Sequence, residues 1–123
     1  EYGEAIVRMG VIALEAAFRI LQLNLSIKTE ERLPTKWIFS PLQVKLLKLL
    51  CKKYEGNTTR LKNPYHKDQL QWAAWIIARM GGWKAGKPKA RPGPITFKRG
   101  WTRFEEMSLG IDIFLSETDM GDT

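Results

Sequence analysis

The segment over residues 3–25 is apolar along almost its whole length, and this feature limits the fold more than any other. Arg8, Glu15, Arg19 and Gln22 interrupt it at spacings of seven, four and three residues. On an α-helix this spacing places all four on one narrow polar stripe. The pattern therefore predicts a helix over 3–25 that is buried nearly all round. A chain of 123 residues has little material to cover such a helix, so we expect the chain to be a fragment of a larger protein.

The same polar residues argue against a membrane-spanning segment, which needs about 20 mostly apolar residues in a row. We therefore expect no membrane partner. Cys51 is the single cysteine and His66 the single histidine. A single thiol excludes a disulfide within the chain and is compatible with a reducing cytoplasm. Neither Cys51 nor His66 has the partner residues that a metal site or a general base needs. We expect neither a catalytic residue nor a metal ligand in this chain.

Three further helices are predicted after a connector over 26–39. Ser40-Pro41 followed by Gln43 forms the pattern of a capping box with proline at the first helical position, so the second helix begins there. Its inward face is predicted as Leu42, Leu46, Leu49 and Leu50, and Lys45, Lys48 and Lys52 line another face. The third helix is predicted over 68–80, with Gly81-Gly82 as a left-handed stop, and the fourth over 96–116.

The sequence therefore predicts an all-α domain of about four helices packed as a small bundle. Residues 1–25 form a linking helix, 26–39 a connector, 40–116 a three-helix unit and 117–123 a frayed tail. A proline-rich cationic loop over 83–95 separates the last two helices. No internal repeat and no long alternating strand pattern occurs.

Charge is concentrated in the middle of the chain. Residues 36–103 carry 16 basic and two acidic side chains, a net charge of +14, whereas residues 1–35 carry four basic and five acidic ones and residues 104–123 carry six acids and no base. A block of this kind is typical of a surface that binds a polyanion, because neutralised phosphates release condensed counterions. The alternative is a solvated face that only maintains solubility.

The five tryptophans allow two interpretations. Exposed tryptophans beside cations can stack on nucleic-acid bases, but Trp72, Trp75 and Trp101 lie at helical positions among aliphatic and aromatic residues, which favours a core or an interface. Trp37 and Trp83 lie in predicted loops next to lysines, and for these two the sequence leaves both interpretations open.

The fourth helix carries an apolar seam at alternating spacings of four and three residues, which is typical of paired helices. Gly110 and a glycine within the seam favour close backbone approach. The seam can pack on a second copy of the chain or on the third helix of its own chain. It consists of Phe97, Gly100, Trp101, Phe104, Ser108, Ile111 and Leu115.

Two patterns that suggest an enzyme lack the context that the chemistry needs. Gly81 and Gly86-Lys87 have the spacing of a phosphate-binding loop, but Pro88 stands where that motif needs a hydroxyl, and a helix precedes it instead of a strand. The paired carboxylates Glu30-Glu31 and Glu105-Glu106 are sequence neighbours that need not converge on one site. We therefore expect no nucleotide binding and no catalysis by this chain alone.

Several short motifs together resemble one known family. Leu70-Gln71-Trp72-Ala73, the run over 77–83 (Ile-Ala-Arg-Met-Gly-Gly-Trp), Pro92-Gly93-Pro94, and Arg99-Gly100-Trp101 with Arg103-Phe104 occur in this order. This arrangement resembles the C-terminal domain of bacterial cut-and-paste transposases of the insertion-sequence-four type. The Ser40-Pro41 helix and the run over 19–23 resemble the same family, so the likeness extends over nearly the whole chain.

The resemblance implies a non-catalytic domain that pairs two transposase subunits around two transposon ends. In that family an RNase H-like core carries an Asp-Asp-Glu triad that binds divalent metal, and the triad would lie upstream of residue 1. The chain itself would need no cofactor. Its partners would be a second copy, through the seam of the fourth helix, transposon-end DNA, and the catalytic core of the same polypeptide.

For the DNA partner the resemblance and the charge together predict contacts to phosphates that position the protein without reading sequence. The residues predicted to make them are Lys84, Lys87, Lys89, Arg91, Lys98, Arg99 and Arg103. Two other hypotheses compete with the transposase domain: a stand-alone basic helical protein that binds nucleic acid, and a structural cap whose cations are only solvated.

Overall fold

The computed structural model describes residues 2–29, 33–56, 62–85 and 91–121. Within these ranges the chain forms four α-helices and a short 3-10 helix: α1 Tyr2–Thr29, the 3-10 helix Thr35–Trp37, α2 Pro41–Tyr54, α3 Leu70–Met80 and α4 Pro94–Gly121. No β-strand occurs in the described ranges, and extended pairing is limited to one isolated bridge between Pro34 and Gln69. The predicted all-α, four-helix architecture is confirmed.

The centre of the molecule is α3, in which every residue except the half-buried Arg79 is buried. Helices α1, α2 and α4 all pack against it. The chain before the 3-10 helix fixes its start, since the carbonyl of Leu33 accepts the Leu70 N–H at 2.7 Å. Gly82 ends it at a φ of 95°, while the Trp83 N–H reaches the Ala78 carbonyl at 3.0 Å. This is the glycine-terminated helix end that the sequence predicts.

Two glycines allow α3 and α4 to approach backbone to backbone. A Cβ on Gly100 of α4 would lie 1.8 Å from the Ile77 carbonyl oxygen, and a Cβ on Gly81 would lie 2.0 Å from the Thr96 carbonyl oxygen. Neither position has room for any side chain. A Cβ on Gly110 would meet nothing within 4 Å, so Gly110 serves no close approach within this chain.

Helix α2 begins as predicted, with a complete capping box. Ser40 accepts the Gln43 N–H at 3.2 Å, and the Gln43 side chain accepts the Ser40 N–H at 2.9 Å. The predicted inward face is only partly right. Leu46 and Leu50 are buried as expected, but Leu42 and Leu49 are exposed. Leu47 is buried instead, because a different face of α2 is turned toward α3.

Helix α1 consists of two unlike halves. The C-terminal half packs against α3 and α4 through residues such as Leu23 and Ile27, and it continues to Thr29, past the predicted end at residue 25. Every residue over 3–15 is exposed. We call residues 3–15 the α1 arm. Helix α4 likewise extends beyond its predicted limits, from Pro94 to Gly121, so the tail predicted to fray from residue 117 continues the helix through Gly121.

Candidate interaction surfaces

The first half of the predicted α4 seam is part of this chain's own core. Phe97 and Phe104 have no exposed surface and Trp101 is 6% exposed. Phe39 packs between them, with its ring centroid 5.9 Å from Trp101 and 5.5 Å from Phe104, and Gly100 lies against Ile77. The interface predicted at these four α4 residues is therefore corrected: they pack on α3 and the 3-10 region, which was the alternative that the seam spacing allowed.

The second half of the seam is only partly buried against this chain's own core. Ser108 is half-buried and accepts a hydrogen bond from the Gln43 side chain at 3.4 Å, and Ile111 packs against the edge of the core. Leu115 is 43% exposed. Beside it, this part of α4 exposes further large apolar side chains: Met107, Leu109, Ile113 and Phe114. We call residues 107–117 the α4 extension, and it presents apolar surface to solvent.

The α1 arm is a second apolar surface. Six large hydrophobic side chains on it are more than half exposed: Ile6, Val7, Met9, Val11, Ile12 and Leu14. They lie all round the helix rather than on one face. A Cβ placed on Gly3 or Gly10 would meet nothing within 4 Å. Next to the arm, α1 and the start of α4 enclose an apolar groove of about 640 Å³ lined by residues that include Ala17, Ile20 and Ile95.

Three of the predicted DNA-binding residues line one shallow depression on the outer side of α4. Lys98, Arg99 and Arg103 share it with Ile95, Thr102 and Glu106. We call this depression the α4 cationic face. Arg103 also has a structural role, because its guanidinium donates to the carbonyl oxygen of Met80 at the end of α3. Lys98 and Arg99 are exposed and project from the same helix toward solvent.

The other predicted DNA-binding residues lie apart from this face. Lys84 and Arg91 are exposed, but the structure brings neither into the α4 cationic face. Lys87 and Lys89 lie outside the described residues. In the described ranges the single ion pair joins His66 and Asp68 at 3.4 Å, so no described lysine or arginine forms an ion pair with a described carboxylate, although Glu106 lines the same depression as Lys98 and Arg99.

A third surface was not predicted as a unit. Lys36, Trp37, Lys45 and Lys48 line one groove of about 620 Å³ between the 3-10 helix and the start of α2, which we call the lysine–tryptophan groove. Trp37 is 66% exposed. The sequence carried part of the signal, since Trp37 follows Lys36 and the two α2 lysines are three residues apart on one helical face. It did not show that the two segments meet.

The remaining reactive side chain is sequestered. Cys51 is buried, and burial, together with the nearby negative charge of Glu55, raises the pKa of its thiol. A raised pKa lowers the thiolate fraction and with it the nucleophilicity. Across the described residues no three His, Cys, Asp or Glu side chains group as a metal site would require.

No family model and no curated protein matches this chain. No helix in the described ranges is long and apolar enough to cross a membrane.

Proposed function

We propose that this chain is the non-catalytic C-terminal domain of a bacterial cut-and-paste DNA transposase of the insertion-sequence-four type. In this proposal it acts in the cytoplasm during DNA transposition, pairs two transposase subunits, and contacts the phosphate backbone of transposon-end DNA. The Asp-Asp-Glu residues and their divalent metal belong to a catalytic core upstream of residue 1.

The observation that carries the proposal is the unequal distribution of apolar surface. The chain closes a core around α3, yet the α1 arm and the α4 extension still expose large apolar side chains. Contiguous exposed apolar surface of this kind is typical of protein interfaces. The two surfaces support two protein partners, the catalytic core of the same polypeptide on the α1 arm and a second copy on the α4 extension.

A helix–helix contact through the α4 extension suits a symmetric pair. Met107, Ile111 and Phe114 are spaced by four and three residues, and Leu115 follows Ile111 by four, so these side chains form one apolar stripe along the helix, whereas Leu109 and Ile113 lie on the opposite face. In an isologous dimer the same stripe packs on its symmetry mate. The proposed dimer seam thus lies further toward the C-terminus than the seven-residue pattern predicts, at Ile111, Leu115 and their exposed neighbours.

The α4 cationic face supplies the proposed DNA contact. Lys98 and Arg99 are exposed and form no ion pair with a described carboxylate, and they lie within five residues of Arg103 on the same helix. Phosphate contacts of this kind add affinity and fix orientation without reading base sequence. Two subunits joined at the α4 extension would carry two such faces, one for each transposon end.

A duplex-binding titration tests the DNA contact. We expect the 123-residue chain to bind a labelled duplex with an affinity that falls steeply between about 50 and about 200 mM salt. The double variant Lys98→Glu and Arg99→Glu should lower the slope of log affinity against log salt by about two, one for each lost phosphate contact. The matched control, Arg8→Glu with Lys28→Glu on α1, makes the same change in net charge and should retain most of the slope.

Equal slopes in the two double variants would show that only the net charge matters, and they would contradict a DNA contact at the α4 cationic face. Binding without salt dependence, or no binding, would favour the structural-cap hypothesis. The reading frame upstream of residue 1 tests the family assignment separately: an Asp-Asp-Glu core in frame supports it, and its absence favours the stand-alone nucleic-acid-binding protein.

A further inference from the structure

We propose that the lysine–tryptophan groove is a binding site for single-stranded nucleic acid, in which an unpaired base stacks on Trp37 and the neighbouring phosphates lie against Lys36, Lys45 and Lys48. This site is separate from the α4 cationic face and takes a different ligand, so it goes beyond the proposed function and does not depend on it.

The first support is the way the backbone presents Trp37. Two residues before it, Thr35 is 3% exposed and its N–H donates to the Asp68 carbonyl at 2.9 Å. Two residues after it, Phe39 is also 3% exposed and packs on Trp101 and Phe104. The 3-10 helix is thus anchored on both sides, which leaves the Trp37 ring outside, 66% exposed.

This presentation favours stacking on the ring. A tryptophan in a loose loop loses freedom when a ligand orders it, and that loss weakens binding. The backbone at Trp37 is already held, because its N–H donates to the Pro34 carbonyl at 3.2 Å and the Ile38 and Phe39 N–H groups both reach the Thr35 carbonyl. The indole ring is therefore available to a flat partner at low entropic cost.

The second support is the charge of the groove. Among the described residues, every charged side chain that lines it is a lysine. Lys45 and Lys48 lie on one face of α2, whereas Lys36 belongs to the 3-10 helix, so the cations that share the groove with Trp37 come from two elements. A positively charged groove with an exposed aromatic ring is the arrangement by which proteins bind single strands without sequence preference.

A duplex fits this groove less well than a single strand. In a duplex the bases are stacked on one another and their faces are not available to an indole ring. An unpaired nucleotide offers one free face, and all four bases have such a face. The groove volume of about 620 Å³ lies in the range of small-ligand sites. The structure therefore favours unpaired nucleotides as the ligand.

The test uses the 123-residue chain and a fluorescein-labelled oligodeoxythymidine of about 15 nucleotides, with a duplex of equal length as the second probe. Anisotropy titrations compare three changes. Trp37→Leu keeps an apolar side chain but removes the stacking surface, Trp37→Phe keeps a ring, and Lys45→Gln with Lys48→Gln removes two groove cations. The matched control is Lys53→Gln with Lys62→Gln, two exposed lysines that neither line the groove nor share the Lys45 and Lys48 face.

We expect Trp37→Leu to weaken single-strand binding by at least about fivefold, the lower end of the range for one stacked base, and to leave duplex binding unchanged. Trp37→Phe should restore most of the affinity. The Lys45 and Lys48 double variant should lower the single-strand salt slope by about 1.4, against a smaller change in the control. Urea unfolding of each variant should match the parent chain, because the Trp37 ring and the lysine ammonium groups lie outside the core.

Three results would overturn the proposal. Single-strand affinity that is absent, or equal in Trp37→Leu and the parent chain, excludes stacking on this ring. Equal salt slopes for the groove and control lysine pairs exclude a phosphate path through the groove. A change in oligomeric state by light scattering for Trp37→Leu, with unchanged single-strand affinity, would instead show that the groove binds protein. Loss of duplex binding in the α4 variants affects only the proposed function.

Discussion

Among the described glycines, Gly100 has the least room for a side chain. A Cβ at this position would lie 1.8 Å from the Ile77 carbonyl oxygen and 2.8 Å from the carbonyl carbon. These atoms belong to the α3 backbone, so no side-chain rotation relieves the overlap. Helices α3 and α4 would have to separate, and the Phe97 and Phe104 side chains on either side of Gly100 would lose their packing.

We therefore predict that Gly100→Ala lowers the free energy of unfolding by about 3 kcal/mol, the upper part of the range for overpacked cores. Gly10→Ala on the α1 arm, outside the proposed dimer contact, is the matched control. It has open space around the Cβ position, so the higher helix propensity of alanine should stabilise the chain by up to about 1 kcal/mol. Urea denaturation followed by circular dichroism measures the unfolding free energy of both variants. Equal changes in the Gly100 variant and its control would show that α4 does not approach α3 at Gly100.

Arg79 has a structural role rather than a nucleic-acid-binding one. Its guanidinium donates to the Trp83 carbonyl at 2.9 Å and to the Tyr54 carbonyl at 3.1 Å. It also lies 5.8 Å from the ring centroids of Tyr54 and Trp75. One side chain thus joins the ends of α2 and α3 and holds the backbone that follows Gly82.

Replacing Arg79 by methionine keeps an apolar stem and removes both charged hydrogen bonds. We predict a loss of about 2 to 3 kcal/mol in unfolding free energy, since each bond from a charged donor contributes about 1.5 to 3 and part is recovered by apolar packing. Arg99→Met, at an exposed site, should change it by less than about 0.5 kcal/mol. Thermal and urea unfolding measure the stability of the two variants. If Arg79→Met and Arg99→Met had equal unfolding free energies, the role assigned to Arg79 would be contradicted.

At the scale of the helices, the two long ones each combine a packed half with a projecting half. The α1 arm contributes nothing to the described core, since its residues are all exposed, whereas Ala16, Ile20 and Leu23 further along the helix contact the core. A helix of this length that is not covered is marginal in water by itself. We therefore expect the α1 arm to be dispensable for folding, and its exposed side chains are accessible to a partner.

Deletion of residues 1–12 should therefore change the unfolding free energy by less than about 1 kcal/mol, because it takes away exposed side chains of the arm rather than core ones. Deletion of residues 1–20 removes Ala16 and Ile20 as well, and it should cost more than about 2 kcal/mol. Chemical denaturation of the two truncated chains checks this. A large loss from the shorter deletion would mean that the α1 arm packs on the core.

The positions of the helices can be predicted from the sequence, because local signals define the helix ends. Ser40 with Gln43 marks the start of α2, and Gly82 marks the end of α3, through capping that involves only a few residues. The rotation of α2 was not predictable in the same way. Its run of leucines fits more than one inward face, and only the position of α3 selects Leu47 over Leu49.

The candidate interaction surfaces are harder to predict, because they also depend on tertiary contacts. A spacing of four and three residues on α4 indicates that something apolar packs there, but it does not say whether the partner is α3 or a second chain. The structure assigns Phe97, Trp101 and Phe104 to the core and leaves the α4 extension exposed. The lysine–tryptophan groove depends on a tertiary contact between two segments, which no local pattern encodes.

At the scale of the whole molecule, charge and apolar surface are separated. The cationic surfaces lie on the first half of α4 and along α2, and the exposed apolar side chains lie mainly on the α1 arm and the α4 extension. In the proposed function, this separation would allow one domain to contact protein and nucleic acid at the same time. A dimer built on the α4 extension would leave the α4 cationic face and the lysine–tryptophan groove open.

The central claim is that two copies associate through the α4 extension, and light scattering coupled to size-exclusion chromatography tests it most directly. We predict a mass of twice the 14.2 kDa of one chain at high concentration. Met107→Lys with Leu115→Lys, on the face of the proposed seam, should reduce it to one chain, whereas Ile6→Lys with Ile12→Lys, at exposed positions of the α1 arm, should leave the dimer intact. A monomer in the parent chain at every concentration, or a dimer lost only in the α1 arm variant, would contradict the claim.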